Sequence, residues 1–429
     1  MTDTRNTFIG RNISSLVMLL LSISLIILAF IVDSPQSLIK GQYNIIIAPD
    51  ILLTDYIAVG GIGAAFLNAG LMGLINTIIV YMLRLPVNGL TIAAIFTVIG
   101  FSFIGKNIFN FWPIYLGGLI YSKLKKIKFR DIFIVLMFAT TLSPVVSQIA
   151  FGINLPLNIA IPLGMAVGVL IGFLILPLSR QVIRFHDGYS LYNVGLAGGV
   201  LGTLIASLMR GTGIIFDTQN ILSYEYSLHI CLMLVILFGV FIIMGIFKDD
   251  DTLADYTNIF KYKGRTPTDF IKLEGEGATF LNMGIMGLIC IIYVFLMKGA
   301  FNGPVIAGIF TVVGFSAFGK HPKNALPILI GVMLFSYFNI WESSSTPVII
   351  AGLFGTTLAP VAGKYGFFAG IIAGALHLAI SMNVGVVHGG FNLYNNGFAG
   401  GIVAGIIVPI LNVFKKECNK RNEGALLKG

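Results

Sequence analysis

Laid over itself at an offset of 214, the chain repeats. Asp55–Gly118 and Asp269–Val332 align without a gap and share 32 of 64 residues. Phe66, Leu67, Asn68, Gly70, Met72 and Gly73 answer Phe280, Leu281, Asn282, Gly284, Met286 and Gly287. At slightly different offsets, Thr140, Thr141 and Pro144 answer Thr356, Thr357 and Pro360, and His186, Tyr192 and Asn193 answer His388, Tyr394 and Asn395. Shared apolar composition does not put polar residues and glycines in register, so the chain is two homologous halves, roughly 10–215 and 225–415. Residues 216–273 hold the linker, the first helix of the second half and a loop; 416–429 form a basic tail.

Each half contains seven apolar stretches. In the first they fall near 14–32, 57–83, 87–104, 110–122, 131–148, 157–178 and 189–209; in the second near 229–247, 274–297, 303–319, 325–340, 347–361, 364–381 and 391–413. Only 10% of residues are charged and 56% are hydrophobic, against about 25% charged in soluble domains. Too little polar surface exists to cover a water-soluble core, which excludes an ordinary soluble enzyme, and too much apolar surface exists for disorder. The expected fold is all-α, a polytopic helical membrane protein. A crossing needs about 20 apolar residues, and several stretches are shorter, so some are broken or re-entrant. The run Leu16–Val32, flanked by Arg5 and Arg11, lacks a cleavage pattern and reads as a retained helix.

The net charge of +9 comes from short basic loop clusters beside apolar runs, which read as orientation signals and lipid contacts and not as a nucleic-acid surface. With the N-terminus in the cytoplasm and every stretch crossing, the cytoplasmic loops hold 23 of the 27 Lys and Arg; the far face holds Lys40, Lys106, Arg210 and Lys298. Equivalent loops carry opposite charge bias. The loop Lys123–Arg130 has five basic residues, and its counterpart Tyr337–Thr346 has none. An odd number of crossings per half produces this, so the halves are expected to be inverted-topology repeats, with both termini cytoplasmic. A re-entrant pair at 87–104 and 110–122 preserves the parity.

Asn68 and Asn282 are amides in apolar runs and need partners; they either face a pathway or belong to a packing element with Gly70 and Gly73. Thr140, Thr141, Thr356 and Thr357, each pair followed by proline, mark either interrupted helices of the kind that form transporter sites or plain proline kinks. Tyr192, Asn193, Tyr394 and Asn395 complete the candidate pathway. Lys106 and Lys320 end matching segments: either each attracts an anion or each snorkels to water. His186 and His388 titrate near neutral pH and read as proton-coupling groups or as structural hydrogen-bonding residues. Glu274 and Glu276 face Gly60 and Ile62 in the other half; they form a coupling site or counter-charges of the basic loop. Cys231, Cys290 and Cys418 have no paired spacing, so neither a disulfide framework nor a metal site is expected. No catalytic motif and no cofactor signature occurs.

With the repeated motifs around Asn68 and Tyr192 in view, the whole chain resembles a family of uncharacterised bacterial polytopic membrane proteins, defined as a domain of unknown function; the resemblance implies a bacterial plasma membrane. A fainter likeness is to urea transporters. Asn68–Gly73 and Gly188–Gly195 are similar to two of their motifs, although the proline of the first is absent and Leu142–Asn158 carries its elements in another order. That likeness implies a duplicated, inverted architecture and not urea as the solute.

These readings converge on a transporter or channel for a small polar or anionic solute, its pathway between the halves and its partners the bilayer and that solute. A homo-oligomer is left open. The alternative is a non-transporting scaffold or accessory subunit, against which the longest connection, about 248–273, is short. A lipid-acting membrane enzyme lacks the polar cluster it would need.

Overall fold

The computed structural model describes residues 13–214 and 220–426, the side chains of 415–426 excepted. Arg5, Arg11, Cys418, the side chains of the basic tail and the junction at 215–216 lie outside the described residues. Among those described the chain is helical, with one isolated bridge between Thr54 and Ile221. Apolar backbone in a bilayer must satisfy its own N–H and C=O groups, and the helix does so within one segment. The first half contributes α1 (Ile13–Val32), α2 (Ile62–Met82), α3 (Gly89–Phe101), α4 (Trp112–Leu124), α5 (Phe133–Gly152), α6 (Leu157–His186) and α7 (Asn193–Gly211). The second contributes α8 (Ser227–Lys248), α9 (Phe270–Leu296), α10 (Gly303–Phe315), α11 (Pro322–Ser336), α12 (Thr346–Tyr365), α13 (Phe367–Val384) and α14 (Asn395–Leu426).

Ten of these, five per half, are long and apolar enough to cross a membrane. The hairpins α3–α4 and α10–α11 are not. Helix α3 has 13 residues, about 20 Å at 1.5 Å per residue, against about 30 Å of hydrocarbon. Both hairpin turns end inside protein, beneath the segments 48–55 and 262–268: Asn107 Nδ2 donates to Asp50 Oδ2, and His321 Nε2 pairs with Tyr262 O. Fourteen full crossings are therefore corrected to ten spans and two buried hairpins. Lys106, counted on the far face, and Lys320 are both fully buried at these turns.

The two short helices α3 and α10 pack against each other and run antiparallel. A Cβ on Gly100 would lie 2.9 Å from Phe310 Cβ, and one on Gly314 would lie 2.7 Å from Phe96 Cβ. Their ends are tied crosswise, Gly89 N donating to Asp269 Oδ1 (3.0 Å) and Gly303 N to Asp55 Oδ2 (3.2 Å). Each half thus caps the short helix of the other, and the cap places a carboxylate at a helix N-terminus, where it is favoured. The Phe96 ring lies tilted 5.9 Å from that of its own counterpart Phe310, and Gly195 touches its counterpart Gly397. Counterparts that meet lie on a local two-fold axis.

The glycine stripe of α2 is a packing surface. Cβ atoms on Gly70 and Gly73 would meet Ile26 Cγ1 at 2.6 Å and Ser22 Oγ at 2.6 Å on α1, which is how small residues let helices approach in lipid. Gly61 and Gly275, at φ 88° and 82°, break the chain just ahead of that stripe. Asp33 and Asp249 then accept the freed amides of Gly63 and Gly277. The Thr-Thr segments form single tightened turns, Thr140–Leu142 and Thr356–Leu358, within α5 and α12. They are local constrictions of a continuous span and not unwound breaks. Outward-facing Ile31, Ile236 and Phe247 are exposed, as a lipid-contacting perimeter requires.

Candidate functional site

The site is built from the two hairpin turns. Each short helix ends in a turn that delivers a lysine, at Lys106 and Lys320, and the antiparallel pairing puts the lysines at opposite ends of the α3–α10 pair. The turns are clamped by the paired asparagines. Asn68 Nδ2 donates to Ser102 O (2.7 Å) and Lys106 O (2.8 Å); Asn282 Nδ2 donates to Ser316 O and Lys320 O at the same distances. A short helix leaves its last carbonyls without partners, and these amides supply them. Asn68 and Asn282 therefore shape the site from behind.

Both lysines reach across to the other half. Lys106 Nζ donates to Tyr394 Oη (2.7 Å), and Lys320 Nζ donates to Tyr192 Oη and to Thr356 Oγ1 (2.7 Å). Each ammonium also lies over aromatic faces, Lys106 at 4.7 Å from Tyr394 and Lys320 at 4.5 Å from Tyr192, a favourable desolvated arrangement. Among the described residues, no ion pair includes either lysine. Burial among neutral groups alone disfavours the charged form of each lysine, and an anion brought beside it would favour the ammonium.

The tyrosines are positioned by the second threonine of each pair, again crosswise. Thr357 Oγ1 accepts from Tyr192 N (3.0 Å), and Thr141 Oγ1 accepts from Tyr394 N (2.8 Å). Thr141 also donates to Asn392 Oδ1 (2.6 Å). The paired histidines close the turns just upstream. His186 Nε2 bonds Asn193 Oδ1 (3.0 Å) and His388 Nε2 bonds Asn395 Oδ1 (2.9 Å), while the amides reach Ser179 O and Ser381 O. Both histidines thus have intramolecular partners that brace the α6–α7 and α13–α14 corners.

Two cavities approach these pairs. One, of about 160 Å³, is lined by Leu90, Leu191, Tyr192, Thr266, Phe318 and Phe354 among others; the second, of about 200 Å³, by Leu52, Ile104, Leu393, Asn395 and Phe354 among others. Their walls are counterparts under the duplication: Thr266 with Leu52, Phe318 with Ile104, Leu191 with Leu393 and Asn193 with Asn395. Phe354 and Asn396 line both. Aromatic rings wall the first cavity, Phe101 at 4.5 Å from Tyr394 and 5.3 Å from Phe354, and Tyr192 at 4.7 Å from Phe315; Phe354 is shared with the second.

Of the residues singled out by sequence, the structure brings together Lys106 with Tyr394 and Thr141, and Lys320 with Tyr192, Thr356 and Thr357. Thr140 donates to Met137 O and does not reach a lysine. Glu276 lies apart, accepting from Ser14 Oγ (2.6 Å) and lying 3.9 Å from Lys248; Glu274 accepts from Tyr262 Oη. Glu276 thus has Lys248 as a counter-charge, whereas Glu274 is bonded to a neutral hydroxyl. Sequence reasoning did not identify Asp55 and Asp269, the crosswise caps, nor buried His377, whose Nε2 bonds Asn396 Oδ1 at 3.0 Å. The matched positions of Asp55 and Asp269 were the available signal; His377 has apolar Ile175 as its counterpart and offered none.

No curated protein and no solved structure matches the chain. A family model described as Protein of unknown function (DUF1576) matches residues 34–211 and 248–413, which includes both hairpins, both lysines and both Tyr-Asn corners, and the chain belongs to that family.

Proposed function

We propose that this protein carries a small anionic solute across the membrane along the interface of two inverted repeats. The observation that carries the reading is the pair of fully buried lysines, each held by a tyrosine hydroxyl of the opposite half, Lys320 also by Thr356 of its own half, and neither facing a carboxylate. Ionisable groups inside a membrane protein are expensive and mark ion or substrate routes. The two counterpart cavities are the approaches, and the aromatic layer of Phe101, Tyr192, Phe315, Phe354 and Tyr394 is the barrier that must part for passage. Antiparallel α3 and α10, each capped by the other half, support the inverted relation, a common transporter architecture. With Lys106 and Lys320 buried, 22 basic residues remain for the cytoplasmic face and three, Lys40, Arg210 and Lys298, for the other; ten spans then leave both termini in the cytoplasm.

The test is a thermal-shift screen of the purified protein against small inorganic and organic anions, followed by uptake into proteoliposomes. A ligand at a hundredfold excess over its Kd stabilises by about 2.7 kcal/mol. One anion class is expected to shift the wild type and not Lys106→Gln with Lys320→Gln, and the double variant is expected to lose uptake. Binding and uptake that survive in a folded double variant overturn the assignment. Silence across the whole panel favours an accessory subunit.

A further inference from the structure

Behind the first hairpin turn lies a carboxylic acid that anion binding does not use. Asp50, in the connecting segment 48–55 and outside the ten spans, is 0% exposed. Its Oδ2 accepts from Tyr56 Oη (2.8 Å), Asn110 Nδ2 (3.1 Å) and Asn107 Nδ2 (3.3 Å), and its Oδ1 is buried without a partner. Asn110 Nδ2 also lies 3.1 Å from Gly105 O, the carbonyl just before Lys106. One amide thus joins the acid to the turn that carries the lysine.

The second half has no such group. At the same offset Gly264 replaces Asp50, Phe270 replaces Tyr56 and His321 replaces Asn107, while Asn324 keeps the bond to Gly319 O (2.9 Å). A Cβ on Gly264 would lie 2.1 Å from Gly319 O, so no acid fits there.

The charged and titratable groups around Asp50 are few. Tyr56 donates to it. Lys106 sits on the same turn, its ammonium turned toward Tyr394. The neighbouring part of α5 offers only uncharged Ser147 and Gln148. Lys40 and Tyr43 on Pro35–Ile47 are exposed, Asp55 is held by backbone amides, and His388 lies in the segment whose Gly390 O accepts from Leu52 N. Burial pushes the Asp50 carboxyl up to about 7, with the bonds from Tyr56 and Asn110 pulling it partly back.

We infer that Asp50 is a proton-binding site that controls the turn carrying Lys106, through an acid that the matching turn of the other hairpin lacks. The proton comes from water and binds the unpartnered Oδ1. An O–H bond of hydronium breaks as the new one forms, leaving water, and the carboxylate becomes a neutral acid and a weaker acceptor for the Asn107 and Asn110 amides. Loss of the negative charge also removes repulsion of an anion at Lys106. In the transport reading, on which this last step rests, one proton accompanies each anion bound there.

The proton itself is the probe. In the full-length protein, infrared spectra between about pH 5 and 8 are expected to show a titrating protonated-carboxyl band that loses one component in Asp50→Asn, while the component of Asp55, which burial pushes up to about 6, remains. Amide hydrogen exchange of 102–111 is expected to change several-fold with pH relative to 316–325, the matching turn that corrects for intrinsic rates. Tyr56→Phe, the residue already present at Phe270, removes a donor to the ionised form and is expected to move the titration upward; it serves if Asp50→Asn does not fold. A band that does not titrate or loses no component in Asp50→Asn, or a 102–111 response that persists in that variant, overturns the inference. Proteoliposome assays with phosphate, nitrate and lactate separate the two readings. Flux that ignores a pH gradient overturns the coupling alone; no flux of any anion while Asp50 still titrates counts against transport and leaves the proton site standing.

Discussion

The two hairpin turns begin from nearly one sequence and end in different surroundings. Each has a lysine after a Gly residue, an asparagine clamping the same two carbonyls at 2.7 and 2.8 Å, and a tyrosine delivered by the opposite half. Beyond that shell they part. Lys320 has Thr356 as an additional partner, whereas Thr140 leaves Lys106 to Tyr394. Asn68 Oδ1 accepts from Gln42 (3.3 Å), and Asn282 Oδ1 is buried without a partner. Asp50 backs one turn and Gly264 the other. The shape of a turn is set by backbone bonds that the duplication preserved, while its charge environment is set by connecting segments that diverged. A duplicated fold with two like-shaped turns can in this way respond differently at each.

The clamp offers the largest test of that equivalence. Asn68→Leu and Asn282→Leu each strand two buried carbonyls, at about 1–3 kcal/mol for each group. Both are expected to lower the melting temperature in detergent by similar amounts, and together to abolish uptake. A double variant that still transports would break the assignment, and a mild Asn282→Leu would show that the clamps are not equivalent. Next comes Thr356→Val, which removes a hydrogen bond to an ammonium worth about 1.5–3 kcal/mol; Thr140→Val touches no lysine. Anion affinity measured by titration is expected to change for the first and stay near wild type for the second.

Overpacking at the axis should act alike on both halves. Gly100→Val and Gly314→Val force side chains into Phe310 and Phe96, at about 1–3 kcal/mol each, read as equal shifts in thermal unfolding. The smallest effect is expected for His186→Gln and His388→Gln, which weaken one bond to Asn193 or Asn395, at about 0.5–1.5 kcal/mol. If either changes the pH dependence of uptake more than Asp50→Asn does, histidine and not Asp50 is the titrating group.

Much of this architecture was legible before any coordinates. The offset of 214 announced the duplication, and the shortness of 87–104 and 110–122 left a re-entrant pair open. The roles were harder to read. An amide such as Asn68 needs partners in an apolar setting, but sequence does not say whether they are solute atoms or the chain's own carbonyls; here they are Ser102 O and Lys106 O. Lys106 next to a short helix fits an interfacial lysine as well as a buried one, because the segment 48–55 that covers it comes from elsewhere in the chain. Asp50 belongs to no sequence motif. Its signal was the asymmetry with Gly264, which points to function only once Tyr56, Asn107 and Asn110 are seen around it.

The sequence by itself determined that the chain is helical, membrane-embedded and doubled, because apolar length and self-similarity are properties of one strand of text and of local hydrogen bonding. Only the tertiary structure decided which polar groups meet. Tyr394 on Lys106, Tyr192 on Lys320, and Asp55 and Asp269 on each other's short helices are contacts between residues more than a hundred positions apart. Such pairings follow from how two antiparallel short helices pack about a shared axis, and no local pattern encodes that geometry.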